Sequence, residues 1–468
     1  MGSIISSGVG SGLDVAGLVS KLVEAEGKPQ ATRLDAQEAK AQAKLSALGS
    51  LRGALATFRD ALANLKELDS FRGRKVTLSN ADFVAATATT AAAPGNYAVE
   101  VQSLASAHRL TKDFAAGTLE TVIGTGTLTV ARGASAFTVD ITAENSTLGG
   151  IADAINDAVT NVGVFATVIT GTTGARLVLA STETGADNAV VVTQNGGDGG
   201  LAALVYDPAG TGITNLVELQ AAADAQVLID GFAVTSGTNT IDAAVEGVAF
   251  DLLEAHEEGD TTAVNVGFDE DAAQALLDKF VKSYNSLVDS IANVASFNAA
   301  TRQSGPLFGD AGVRNIVYQL RRELTSAVEG LDGPFNVLSD IGISTQVDGK
   351  LALDTTKLEA AFAQDFDSVG ELFSTADTGV AVRLDQLLDP YLKAGGVFDS
   401  RNDSFKSTID DVTERREALS KRLLAIQERY TREFNALDSL LAQLTTTSNF
   451  LSQQLGNLPG YQLLGRDN

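Results

Sequence analysis

Apolar residues recur every three or four positions over two long stretches, one towards each end of the chain. Residues 397–455 contain no glycine and no proline. Within them Leu419, Leu423, Ile426, Tyr430, Phe434, Leu437, Leu441, Leu444, Leu451 and Leu455 keep that spacing. The pattern predicts an α-helix with a narrow apolar stripe. Consecutive steps of four at Ile426, Tyr430 and Phe434 form a stutter that would locally unwind a supercoil. Asp411 with Arg415, Glu417 with Lys421, and Glu428 with Arg432 are acid-before-base pairs one turn apart, which suit a solvated helix surface. At about 1.5 Å per residue, about fifty such residues make a rod of roughly 75 Å. A rod with one apolar stripe needs a partner, because helices depend on packing that face.

The other end of the chain offers one. Asp14 is placed to cap a short helix with Val15, Leu18, Val19, Leu22 and Val23 on its apolar face, and Gly27 and Pro29 are expected to end it. A second helix is predicted over about 30–69, carrying Leu34, Ala41, Leu45, Leu48, Leu51, Leu55, Phe58, Leu62 and Leu65. Gly49 and Gly53 inside it cost about 1 kcal/mol each against alanine and read as points of close helix–helix approach. The predicted pairing and contact residues are Leu34, Leu45, Leu48, Leu55 and Leu62 on this helix. On the C-terminal rod they are Leu423, Ile426, Tyr430, Phe434, Leu437, Leu441, Leu444 and Leu451.

Between the two ends the period changes. Alternation over 76–93 and 96–104, with Tyr97, Val99 and Val101 on one side, predicts strands. Residues 110–270 are rich in Thr, Val, Ala and Gly, and read as short strands with glycine turns. Examples are 127–130, 137–141, 164–169, 176–179, 189–192, 225–229 and 263–266. Thr147 opens one interrupting helix, with Leu148, Ile151, Ile155 and Val159 on its buried face. Helical period returns at 273–294, 313–324, 356–363, 366–373 and 381–391. A small hairpin is predicted at 343–353, turning at Asp348-Gly349. The expected fold class is α+β multidomain, with a terminal α-helical coiled coil, a helical core domain and two inserted β-rich domains. The boundaries are 1–45 with 431–468 for the terminal helices, 46–75 with 271–430 for the helical core, 76–109 with 223–270 for the inner β-domain, and 110–222 for the outer one.

Composition narrows the function classes. At 44% hydrophobic and 20% charged residues, the 468-residue chain has the makings of folded cores. Its formal net charge of −25 disfavours nucleic acid and anionic membrane as partners. Cysteine and tryptophan are absent, so disulfides and thiolate metal sites are excluded. This suits a cytosolic protein and equally one that leaves the cell unfolded. Residues 1–12 lack a basic start and an apolar run, so no cleaved secretory signal is expected there. No stretch approaches the roughly 20 apolar residues of a membrane span.

The search for chemistry finds no constellation. His108 and His256 lack ligand-spaced neighbours. His256-Glu257-Glu258 resembles the start of a metalloprotease helix without its second histidine, and reads as a polar turn before Gly259. Gly196-Gly197-Asp198-Gly199-Gly200 is a single Gly/Asp turn, where calcium sites of that kind need tandem copies. There is no phosphate-binding Gly-Lys loop and no Gly-x-Ser-x-Gly elbow. No catalytic residue, metal or cofactor is expected.

Taken together, the segments resemble the flagellar filament cap, or hook-associated protein 2, family. The likeness rests on Gly12-Leu13-Asp14 with Leu22, Glu24, Pro29 and Phe71, and on Gly95-Asn96-Tyr97 leading through Val99 and Val101 to Leu104-Ala105. It continues in Phe280-Val281 with Tyr284-Asn285, Gly305-Pro306-Leu307 with Gly309-Asp310, Ile341-Gly342-Ile343, and Gly349-Lys350-Leu351 with Asp354. At the C-terminus it rests on Gly396-Val397, Arg429-Tyr430, Phe434, Leu437-Asp438 and Leu451. Thr147-Leu148 with Ala154-Ile155-Asn156 is similar to the "IN" motif of flagellin and hook proteins. The resemblance implies a structural homo-oligomeric ring of about four to six subunits at the distal filament tip, promoting flagellin folding and polymerisation and preventing flagellin loss. Flagellin and hook–filament junction proteins would be partners, and a cytoplasmic export chaperone would mask the C-terminal helix. The alternatives are a surface adhesin acting through the outer β-domain and a hook–filament junction axial protein.

Overall fold

The computed structural model describes residues 14–298 and 302–456. Residues 1–12, read above for a secretory signal, lie outside them. Helix α1 runs from Val15 to Leu62, with the Asp14 carboxylate accepting the Gly17 N–H at 2.9 Å. The break expected at Gly27 and Pro29 does not occur, since both lie inside α1. Proline removes one backbone donor from a helix, but the C-terminal rod packs alongside this turn and bridges it. Arg422 and the Tyr430 hydroxyl both reach Glu26, at 3.8 and 3.4 Å. The expectation for Gly49 and Gly53 is also corrected: a Cβ added at either meets nothing within 4 Å. The close approach is at Gly27, where an added Cβ would lie 2.5 Å from Leu423 Cδ1.

After α1 a 3-10 turn at Asn64–Lys66 leads to α2 (Leu68–Phe71), so the first helix ends earlier than predicted. Then come β1 (Arg74–Leu78), β2 (Val84–Ala88), β3 (Gly95–Ser103), β4 (Ala107–Ala115), β5 (Gly126–Arg132) and β6 (Ser135–Ile141). Helix α3 (Leu148–Asn156) follows, its Gly150 N–H capped by Thr147 Oγ1 at 3.1 Å. Val159, predicted on its buried face, lies past its end and is fully exposed. The chain continues through β7 (Val164–Gly171), β8 (Gly174–Thr184), β9 (Val190–Asn195), β10 (Tyr206–Asp207), β11 (Ile213–Thr214) and β12 (Val217–Gln220). Next are β13 (Ala225–Ile229), β14 (Phe232–Ser236), β15 (Thr240–Val245), β16 (Val248–Leu252) and β17 (Thr262–Phe268).

Helix α4 (Glu270–Ala295), the short pair β18 (Phe297–Asn298) and β19 (Gln303–Ser304), and α5 (Ala311–Thr325) come next. The predicted hairpin is present as β20 (Ile343–Thr345) and β21 (Leu351–Leu353). In α6 (Thr355–Ser374) an extended Asp365 separates the two predicted helices, its carboxylate capping the second through the Ser368 N–H at 3.1 Å. Then follow α7 (Val380–Leu392) and α8 (Val397–Gly456).

The chain forms two compact units, one of residues up to Glu67 and from Ala275 onward, the other Leu68–Gln274. The second contains two hydrophobic clusters. Sheets β1-β17-β3-β13-β14 and β15-β16-β2 enclose Val84, Val99, Val101, Val227, Phe250 and Val264. Sheets β11-β10-β9-β5-β6 and β12-β4-β8-β7, with α3, enclose Leu128, Val130, Leu148, Ile151, Leu177 and Val190. Each histidine serves one of these cores. His108 Nδ1 accepts the Val190 N–H at 2.8 Å, and His256 Nδ1 accepts the Val101 N–H at 2.9 Å while its ring stacks on Phe83.

The first unit packs around α1, where Leu48, Leu51, Leu55, Phe58 and Leu62 are fully buried. Phe58 meets Phe280 and Tyr284 at centroid distances of 5.9 and 5.7 Å. Asp310 caps α5 through the Gly312 and Val313 amides and pairs with Arg401 on α8. The Arg401 guanidinium, helped by those amides and opposed by burial, holds its carboxyl below the usual carboxylate range. A depressed folded pKa stabilises the fold above the ordinary aspartate value of about 3.9, and the gain is lost as pH falls through the lower folded value. Asp310→Ala is therefore expected to cost about 2–3 kcal/mol at pH 7 in urea unfolding, with the difference from wild type shrinking as pH falls below the ordinary aspartate value of about 3.9.

Candidate interaction surface on the paired terminal helices

The sequence periodicity makes α1 and α8 rods with complementary stripes, and the structure lays them antiparallel. Going outward from the core, Arg52 pairs with Asp399 at 2.5 Å, and Arg416 pairs with both Asp35 and Glu38. Further out, Leu34 and Leu419 line one groove, Gly27 receives Leu423, and Arg422 and Tyr430 reach Glu26. The ion pairs flank the apolar seam, and in the solvent-exposed setting of Arg416 they are screened and contribute little. The seam itself supplies the attraction.

The predicted contact residues divide into three groups. Leu48, Leu55 and Leu62 are wholly buried in the helical core. They hold α1 to that unit and present nothing to an outside partner. Leu34 and Ile426 are buried in the seam at 9% and 8% exposure, and Leu45, Leu423, Tyr430, Phe434 and Leu441 are half-buried. Leu437, Leu444 and Leu451 are about half exposed, as are Leu440, Phe450 and Leu455 on the same stretch of α8. Leu18 and Leu22 of α1, predicted on a buried face, are about 40% exposed, whereas Val15 and Val19 are buried. The sequence alone does not reveal the cross-helix ion pairs, because they become visible only once the register of two remote segments is known.

Among the described residues no group of His, Asp and Glu could hold a metal ion, and no helix is long and apolar enough to cross a membrane. The clefts beside the rods are lined by Arg33, Gln37, Arg415 and similar surface side chains.

Comparison with known proteins identifies this architecture. Residues 11–108 match the model of the flagellar hook-associated protein 2 N-terminus, and residues 222–446 match that of its C-terminus. The chain is 34% identical over 473 residues to the B-type flagellar hook-associated protein 2 of Pseudomonas aeruginosa, covering 97% of this chain and 98% of that one. The chain belongs to the flagellar hook-associated protein 2 family. It is also 34% identical over 473 residues to the flagellar hook-associated protein 2 of Escherichia coli K12, covering 98% of this chain and 99% of that one. Among solved structures it resembles the D1-D2-D3 domains of the flagellar cap protein FliD from Escherichia coli. The TM-score is 0.62 at 32% identity, over 77% of this chain and 99% of that one. The role that goes with the hook-associated protein 2 family is that of a flagellar filament cap, and the α+β multidomain architecture is the one its solved member shows.

Proposed function

We propose that the chain works as a homo-oligomeric ring of about four to six subunits at the distal tip of the bacterial flagellar filament, promoting flagellin folding and polymerisation and preventing its loss. The observation that carries this reading is the apolar stripe of α8, seated on α1 along the inner part of the rod and half exposed from Leu437 to Leu455. That exposed stretch suits docking onto helical partners, for which flagellin and the hook–filament junction proteins are the candidates. A cytoplasmic export chaperone on the same stretch would cover it before assembly. The absence of cysteine agrees with unfolded export through the flagellar apparatus. The chain performs no catalysis in this role.

The four-domain division is part of the same proposal. The two hydrophobic clusters of the β-rich unit support an inner and an outer domain, and the two family matches end at 108 and resume at 222. The junction falls near Ser106, whose N–H donates to the Ala223 carbonyl at 2.8 Å.

Deleting residues 430–468 should leave a folded protein that does not cap. Complementation of a strain lacking the chain with this truncation is expected to release flagellin into the medium. Filaments of normal length from that strain would contradict the role given to the rod.

A further inference from the structure

We propose that the open half of the β7 edge accepts an extended, Lys- or Arg-bearing polypeptide segment as an added strand. Strand β7 ends the sheet β12-β4-β8-β7. Two asparagine carboxamides meet the first part of its free edge. Asn156 donates to the Ala166 carbonyl and accepts the Ala166 N–H, both at 2.8 Å. Asn161 does the same for Val164, at 2.8 and 2.9 Å. Each carboxamide thereby makes the two hydrogen bonds that a peptide group of a neighbouring strand would make.

In an antiparallel ladder, residues alternate between pairing with one neighbour and the other. The β7–β8 register is regular, with Val168 opposite Leu177 and Thr170 opposite Ala175. Val168 and Thr170 therefore direct their N–H and C=O groups outward, as Val164 and Ala166 do. Among the described residues no strand or side chain meets them. An open row of main-chain donors and acceptors is a template for strand addition.

The surroundings specify the guest. A cleft of about 530 Å³ borders this edge, lined by Leu119, Glu120, Gly149, Asp153, Thr167 and Val168 among others. No lysine or arginine lines it, and Glu120 and Asp153 are both exposed on its rim. On the other face of β7, Phe165 and Ile169 are 54% and 55% exposed. An alternating basic and aliphatic strand thus finds carboxylates, apolar contact and main-chain partners together. The proposal stands apart from the cap reading, because it needs neither a ring nor a filament.

The test uses the full-length protein, an alternating Lys-Val octapeptide, fluorescence anisotropy and amide hydrogen exchange. Saturable binding is expected, with new protection confined to 164–171. Val168→Pro and Thr170→Pro each delete one outward donor without removing a bond to β8, and should weaken binding about tenfold or more. Unchanged exchange across β8 would verify that these variants are folded. The double variant Glu120→Lys, Asp153→Lys should instead favour a Glu-Val octapeptide over the Lys-Val one. The proposal is overturned by no binding at millimolar peptide, by protection elsewhere, or by wild-type affinity in both proline variants. Protection of 164–171 that grows with protein concentration and without peptide would make a second copy the occupant, and would overturn it as well.

Discussion

Phe58→Ala is expected to lower the stability of the helical unit by about 3–5 kcal/mol, a large part of what a typical domain possesses. Phe58 is fully buried on α1, between the rings of Phe280 and Tyr284, and Phe280 in turn meets Phe373 at 5.7 Å. Removing the ring takes a large apolar surface out of contact and leaves a cavity that its two aromatic neighbours, held on one helix, cannot easily close. Urea unfolding followed by circular dichroism measures the loss. A change under 1 kcal/mol would mean that α1 is not the centre of this core. The β-rich unit, with hydrophobic clusters of its own, should keep its transition.

Ile426→Asp should have the opposite pattern, leaving the core standing and opening the rod. Ile426 is buried at 8% exposure in the outer half of α8, where its neighbours along the stripe, Leu423 and Tyr430, are half-buried. A carboxylate in that seam has no cation assigned to it, and the free-energy cost is about 3 kcal/mol or more. That exceeds what the flanking, solvent-screened pairs Arg422–Glu26 and Arg416–Asp35 return. Amide exchange in 15–30 and 420–437 should accelerate about 100-fold, while exchange around Leu55 and Leu384 stays as in wild type. Uniform acceleration would show that rod and core unfold as one.

The rods were legible in the sequence because their signal is local. A 3.6-residue period without glycine or proline from 397 to 455 admits little besides a helix, and α8 runs from Val397 to Gly456. Pro29 misled for a related reason: its cost is local, but what offsets it is α8, about 400 residues away in sequence. Gly27 carried no visible sign that it was the contact glycine, whereas Gly49 and Gly53, one turn apart, looked the part and face solvent. The β-rich unit was legible as strands and not as sheets. Strand β3 pairs with β17 and β13, and the first of those pairings joins Val99 to Thr262. No periodicity encodes such an order. Thr147 and Asn156 show the intermediate case: the motif and its helix could be read, but the pairing of Asn156 with Ala166 depends on where β7 returns.

The account stands on the two terminal helices lying side by side in one subunit. The chain has no cysteine, so paired substitutions report cleanly. A Cβ on Gly27 lies 3.4 Å from Leu423 Cγ, within reach of disulfide geometry. The variant Gly27→Cys, Leu423→Cys should close an intramolecular bridge under mild oxidation, seen as a faster monomer band on a non-reducing gel, while Gly49→Cys, Leu423→Cys should not. A Gly27→Cys, Leu423→Cys protein that stays unbridged, or links only between subunits, would contradict it.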